Sequence, residues 1–401
     1  MNEFDSLIRS ERVVTPAGIG PATVGIRGGR IESVTEHGAL QSARQHIDLG
    51  KVALLPGGVD LGTGVYVPGR SLEESYQRVS EAALSGGVTT VVASAAPARP
   101  PITCVDALRV HRRAATGLSV SVFFLGGVTQ GTGPLELADL RAAGVVAFHC
   151  SLSDGGAPDM ASLGEAQLRK AMVELAALET VLLVHTEDAR ELGFPASAEQ
   201  RPPRAERRGL ERVVAAARLA GTRTHVSSFT AAECAALLTT AGSVGVNLTA
   251  QTCPHYLCLP AETLRPEVHG CRPPLRSEAN RKALWNTFLS QETPITTIGS
   301  GHLPSHDMYT LERGLSALWT AASRRALGLA ELSHWTSTAP AELVGLVGKG
   351  RICEGYDADL VAFDPESTVE VSETDPSPYA GRVLTGRVER VWALGRERGL
   401  G

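Results

Sequence analysis

The sequence predicts an α/β protein: a (β/α)8 barrel carrying a small β-sandwich assembled from both chain termini. Three observations lead there. Brief apolar runs alternate with amphipathic helical stretches from about residue 53 to 350, short turn-punctuated strand patterns occupy both ends, and polar residues recur where the apolar runs stop. With 401 residues, 43% hydrophobic and 20% charged, the chain can bury one large core and a smaller satellite. The expected division is 1–52 with 352–401 as the sandwich and 53–351 as the barrel.

At the N-terminal end, Arg12-Val13-Val14-Thr15-Pro16-Ala17-Gly18 and Thr23-Val24-Gly25-Ile26-Arg27-Gly28-Gly29-Arg30-Ile31 are strand patterns broken by turn residues. Asp359–Asp364 and Arg387–Trp392 repeat the pattern at the other end. Between them the apolar runs are Thr89–Ala93, Val120–Leu125, Gly144–Phe148, Thr180–Val184, Thr222–Val226 and Pro294–Ile298, with helix formers following, as in Ala231–Leu238. Such alternation over some 250 residues is the pattern of a (β/α)8 barrel. A doubly wound sheet competes, but no Gly-x-Gly-x-x-Gly follows the first run.

Composition removes several function classes. Net charge is −5, aromatics make up 4%, and no basic block occurs, which argues against a nucleic-acid partner. Seven cysteines are scattered with no Cys-x-x-Cys pair, so neither a zinc ribbon nor a disulfide framework is expected. Met1–Asp5 is acidic without an apolar signal core, and no run reaches the ~18 apolar residues that span a bilayer. The expectation is a cytoplasmic protein with reduced thiols and no membrane partner.

In a barrel, residues at strand C-terminal ends form the site. Those residues are Gly62 and Gly64 after the first strand, His149 after the fourth, His185 after the fifth, His225 at the sixth and Gly301-His302 after the eighth. Singly, each histidine is as readily a backbone-bonded strand end. Three of them one βα unit apart point to one face, and three neutral imidazoles with an open fourth position are the ligand set of a mononuclear zinc site. Asp154 and Glu187-Asp188 could orient His149 and His185, although helix capping is the readier account of acidic residues there. His255, behind Pro254, belongs to a rigid loop with a structural or a binding role. His306 and Asp307 read as a loop over the barrel mouth, and no Gly-x-Ser-x-Gly nucleophile elbow is present.

At Leu55-Pro56-Gly57-Gly58-Val59-Asp60, Arg201-Pro202-Pro203-Arg204-Ala205-Glu206, His225-Val226-Ser227-Ser228, Cys253-Pro254-His255-Tyr256-Leu257, Arg272-Pro273-Pro274-Leu275-Arg276 with Asn280, and Ser377-Pro378-Tyr379-Ala380-Gly381, the chain strongly resembles the cyclic amidohydrolases of the amidohydrolase superfamily. Within them it resembles the allantoinase, dihydropyrimidinase and dihydroorotase group. That resemblance implies a binuclear metal centre held by a first-strand histidine pair, an eighth-strand aspartate, two further histidines and a bridging carbamylated lysine. Here Gly62, Gly64 and Gly301 stand at the pair and the aspartate, His149 stands at the lysine, and only His185 and His225 match. Losing the carbamate and the aspartate removes about two negative charges that two metal ions would need, so no binuclear site and no carbamylated lysine are expected. One zinc ion on His149, His185 and His225, or no metal at all, remains.

The resemblance also makes His255, Tyr256, Arg276 and Asn280 substrate-binding candidates. With the aspartate position at Gly301, His302 or Glu187 is the side chain that could serve as base, beside His149, His185 and His225. Two functions follow. One is a divergent enzyme opening or closing a C–N bond in a small cyclic amide, imide or ureide, or running another acid-base step on it. The other is a pseudoenzyme that binds a protein partner, as some members of the superfamily do. Histidine at the lysine position, where the other lost ligands became glycine, favours the enzyme. A homodimer or homotetramer is expected in either case.

Overall fold

Turn residues and alternating burial build the terminal lobe. The computed structural model describes residues 3–39, 41–153, 160–193, 201–263 and 270–400. Strands β1 (Phe4–Thr15), β2 (Gly18–Arg27), β3 (Arg30–Glu36), β4 (Ala43–Asp48) and β5 (Ala53–Pro56) come from the N-terminal end. The barrel strands are β6 (Gly58–Thr63), β7 (Val88–Ala93), β8 (Ser121–Gly127), β9 (Ala147–Ser151), β10 (Val181–His185), β11 (Arg223–Ser227), β12 (Leu248–Thr252) and β13 (Ile295–Ile298). The C-terminal end adds β14 (Leu360–Glu370), β15 (Val383–Ala393) and β16 (Arg396–Arg398).

One sheet runs β16-β15-β14-β5-β1-β2-β3, with β4 paired to β1, so both termini share the sandwich domain. Its strands serve two cores by alternation. Leu360 and Ala362 face the small core with Ile8, Val24 and Trp392, while Val361 and Phe363 face the barrel's large core. β5 pairs antiparallel with β14 and parallel with β1. Ala53–Pro56 alternates its side chains between two cores and is bonded into the terminal sheet, so the two lobes meet there, beside the expected boundary at 52/53. Lys349 bridges the lobes, donating to Asp359 at 2.7 Å and to Ser121 at 2.9 Å, with Asp357 3.0 Å away.

The barrel strands follow one another in sequence order and pair in parallel, the arrangement of a (β/α)8 barrel. β10 is Val-Leu-Leu-Val-His and its first four residues are buried, as a strand covered on both faces requires. Helices Leu72–Ser85 and Pro203–Ala220 show how the intervening segments are delimited. Ser71 and Glu74 form a reciprocal capping box at the start of the first, and Gly221 at φ 69° ends the second. β12 holds Thr249, Gln251 and Thr252 among its five residues, so it has no apolar run for periodicity to detect.

β6 and β13 are joined by side chains. Buried Asp60 accepts the Ser300 amide at 2.6 Å, the Ser300 hydroxyl at 2.7 Å and the Thr63 hydroxyl at 2.6 Å. The Gln251 amide donates to the Leu61 carbonyl at 3.3 Å, and Gly64 N donates to His302 O at 2.8 Å. Burial raises the Asp60 pKa despite these donors. No helix among the described residues is long and apolar enough to cross a membrane, and all seven cysteines are free thiols.

Candidate active site

A cavity of about 120 Å³ opens at the C-terminal ends of the barrel strands. That volume holds several water molecules or a small ring. Lining it are His149 and Ser151 of β9, Leu183 and His185 of β10, Ser227 at the end of β11 with Ser228 after it, Gln251 of β12, His255 and Tyr256, Cys271-Arg272, and Gly301–Leu303 after β13. His149, His185, His255 and His302 are thus brought to one cavity. Among the described residues that line it there is no aspartate or glutamate, and Arg272 is the one arginine or lysine.

His185 is the best-oriented imidazole. Its Nε2 lies 3.0 Å from Glu187 Oε2, and Glu187 in turn takes the Nε of Arg201 at 3.1 Å on both oxygens plus a further bond from Nη2. Glu187 and Arg201 are almost wholly buried. Burial alone would raise the Glu187 pKa, but His185 and Arg201 outweigh it and hold it below the usual carboxylate range. An ionised Glu187 fixes the proton on His185 Nε2 and leaves Nδ1 as the acceptor nitrogen. The neighbouring acid took the capping role instead: Asp188 accepts from Arg190 N at 3.0 Å at the start of a 3-10 turn, and it pairs with Arg190 and Arg212. Asp154 lies outside the described residues.

His149 sits one strand away. Burial, then the charge of His185, lowers its pKa to about 4, and its buried Nδ1 has no hydrogen-bond partner among the described residues. His302 Nδ1 accepts the Thr310 amide at 3.1 Å, so a neutral His302 carries its proton on Nε2; burial takes its pKa to about 3. That tautomer makes His302 a hydrogen-bond donor and a poor base, contrary to the sequence expectation. His255 packs at 4.2 Å between ring centroids on Tyr256, whose hydroxyl donates to Pro273 O at 2.7 Å.

His225 does not join them. Its Nδ1 is 2.7 Å from the Thr249 hydroxyl and its Nε2 3.0 Å from the Thr297 hydroxyl, and burial lowers its pKa to about 3. The reason is strand stagger. His149, Leu183 and His225 are paired across β9, β10 and β11, but paired residues run along a line inclined to the axis of a barrel whose strands tilt by about 36°. His225 therefore lies deeper than His149, and Ser227 reaches the cavity in its place. Among the described residues no group of three His, Cys, Asp or Glu side chains is arranged to hold a metal.

The glycine positions have been filled as well as emptied. A Cβ at Gly64 would stand 2.8 Å from His302 O and 2.9 Å from Leu303 Cδ1. At Gly301, with φ +66°, it would stand 2.5 Å from His255 Cε1 and 2.9 Å from Cys253 Sγ. Only Gly62, with φ +79°, has open space around it. Of these three glycines, Gly64 and Gly301 have no room for a side chain unless their neighbours move, and among the described residues the cavity lining offers imidazoles but no carboxylate to a metal pair.

Arg276 and Asn280 lie away from the cavity lining. Arg276 bonds Glu206 at 2.5 Å, Arg201 O at 2.7 Å and Thr230 Oγ1 at 3.2 Å; Asn280 accepts from Ala232 N at 3.0 Å and donates to Thr230 O at 2.9 Å. Their polar atoms are spent on the loops behind the site, which corrects the expectation that they bind substrate. Sequence reasoning does not single out Ser151, Ser227, Gln251 or Arg201 as site residues. Period-2 alternation from His149, His225 and Thr249 would have reached the first three; nothing local marks Arg201.

With this geometry established, comparison with known proteins is informative. A profile of the Amidohydrolase family matches residues 46–397. The chain is 34% identical to the allantoinase of Streptomyces avermitilis over 98% of its own length and 95% of the relative's, and 30% identical to the allantoinase of Arabidopsis thaliana over 97% and 87%. In fold it is similar to the L-hydantoinase (dihydropyrimidinase) of Arthrobacter aurescens, with a TM-score of 0.88 over 98% of this chain and 96% of that one at 24% identity. Barrel, terminal sandwich and sequence agree: the chain belongs to the amidohydrolase family, within its cyclic amidohydrolase group.

Proposed function

We propose that the protein is an enzyme that binds a small cyclic amide, imide or ureide at the barrel mouth and acts on it by acid-base chemistry without a metal. The observation that carries this reading is the His185–Glu187–Arg201 chain. A buried carboxylate and guanidinium are costly to keep dry, and here they hold one cavity imidazole in a single tautomer with an open acceptor nitrogen. Besides tying the loops behind the cavity, the chain leaves that imidazole able to act as a base. Relatives named allantoinase point to a cyclic ureide as the ligand class. The bonds held by His225 and the crowding at Gly64 and Gly301 support metal-free chemistry over a three-histidine zinc site.

The test pairs elemental analysis with ligand-observed NMR on wild type and His149→Ala, using allantoin and hydantoin as probes. Binding of a ring with metal well below stoichiometric in both proteins is the expected result. About one zinc per chain, lost in His149→Ala, would replace this reading with a mononuclear metal site. No binding of either ring would favour a partner-binding pseudoenzyme.

A further inference from the structure

We propose that the reaction is proton transfer at carbon: the site removes the hydrogen from the ring carbon between a carbonyl and a nitrogen of a five-membered cyclic ureide, and returns a proton there with the ring intact. The proposal rests on the metal-free reading above and narrows it to a reaction class.

Opening such a ring requires hydroxide at neutral pH and a stabilised departing nitrogen. In metal-dependent hydrolases the metal supplies the first by lowering the pKa of bound water to ~7. At Gly64 and Gly301, where an added Cβ would stand 2.8 Å from His302 O and 2.5 Å from His255 Cε1, the chain offers no side chain toward such a metal. Proton removal next to a carbonyl needs less: one oriented base, and hydrogen-bond donors where the enolate charge appears. Both are present. His185 has Nε2–H committed to Glu187, so Nδ1 is free to accept a proton, and Glu187 then faces the imidazolium that forms. His302, its Nδ1 already accepting from Thr310 N, can offer Nε2–H as a neutral donor. A neutral histidine donor beside a separate base is a known division of labour for enolisation in a barrel site.

The lining agrees. Among the described residues it holds the hydroxyls of Ser151 and Ser227 and no carboxylate. Such a surface offers donors to a species that becomes anionic and sets no carboxylate against it. In the step itself, the C–H bond breaks, its electron pair moves onto the carbonyl oxygen as an enolate, and the proton goes to His185 Nδ1. Reversal re-forms the C–H bond, so nothing is oxidised or reduced. In D2O the imidazolium exchanges with solvent, and deuterium returns to the carbon.

The experiment follows 5-methylhydantoin in D2O by proton NMR with the full-length protein, reading ring binding, the C5–H signal and ring opening together. The expected result is loss of the C5–H signal with an intact ring, slowed about 100-fold in His185→Gln and in His185→Asn, both checked for folding by circular dichroism. Binding followed by an open-chain carbamoyl product overturns the proposal while leaving the acid-base reading standing. Binding with neither exchange nor opening also overturns it, as does exchange undiminished in both folded variants. Failure to bind any ring removes the parent reading, and this proposal with it.

Discussion

Gly301 carries a conformational demand and a packing demand together. Its φ of +66° lies in the left-handed region, and the volume a side chain would enter is held by His255 and Cys253. Gly62 carries only the first, since nothing stands within 4 Å of its added Cβ. Restoring an aspartate by Gly301→Asp should destabilise the fold by about 2–5 kcal/mol, the sum of a left-handed backbone cost and overpacking. Gly62→His should cost on the order of 1 kcal/mol. Urea unfolding of the two variants checks the contrast; equal midpoints would mean that Gly301 is no more crowded than Gly62. At Gly64 and Gly301 a larger side chain would require His255 and Leu303 to move as well.

Three elements meet behind the cavity. His185 ends β10 and Glu187 follows it, Arg201 precedes helix Pro203–Ala220 and Glu206 lies in its first turn, and the loop before helix Glu278–Phe288 carries Arg276. Two buried ion pairs, Arg201–Glu187 and Arg276–Glu206, tie them together. Removing one partner strands the other's charge in a dry environment, which is worth more than the pair's net attraction. Arg201→Met should therefore lower stability by about 3–5 kcal/mol, and adding Glu187→Leu should recover part of that loss. A double variant no more stable than Arg201→Met alone in chemical denaturation would sink this account. The network also explains why a motif containing Arg276 and Asn280 looks like a binding loop in sequence: it shapes the cavity from behind through Thr230, whose hydroxyl also donates to Glu206.

For the molecule as a whole, buried neutral histidines set the response to acid. His149, His225 and His302 titrate near pH 4, 3 and 3 when folded and near 6.5 when unfolded. Between those limits the unfolded chain binds more protons. Stability is thus fully present above pH 6.5 and is lost as pH falls toward 4. At pH 5 these three histidines contribute close to three protons, a slope of about 4 kcal/mol per pH unit, and buried His111, whose pKa burial also lowers, acts in the same direction. The depressed pKa values of Glu187 and Asp188 add to the loss at lower pH, while the raised Asp60 opposes it. Measured as melting temperature against pH, His225→Gln should flatten the slope by about one proton; an unchanged slope would show that His225 is not held neutral.

Much of this could be read from residue order. Runs of four to six apolar residues ending in polar ones, separated by helix-length stretches, specify barrel strands because period and length are local properties. β10 falls where its apolar run predicts, with His185 closing it on the cavity wall, whereas β11 lies at the expected Thr222–Val226 although Val226 is the one apolar residue there. The substitutions at Gly62, Gly64 and Gly301 are equally plain in sequence. Depth along the barrel axis is not. His149 and His225 occupy paired positions, yet strand tilt lifts one to the cavity and leaves the other between Thr249 and Thr297. Likewise Arg201 reaches Glu187 across 14 positions, and Asp60 reaches Ser300 across 240. Composition and periodicity act over a few residues and so settle which elements form; stagger, closure and the volume left beside a glycine depend on how distant elements pack, and those settle which histidines can share a ligand.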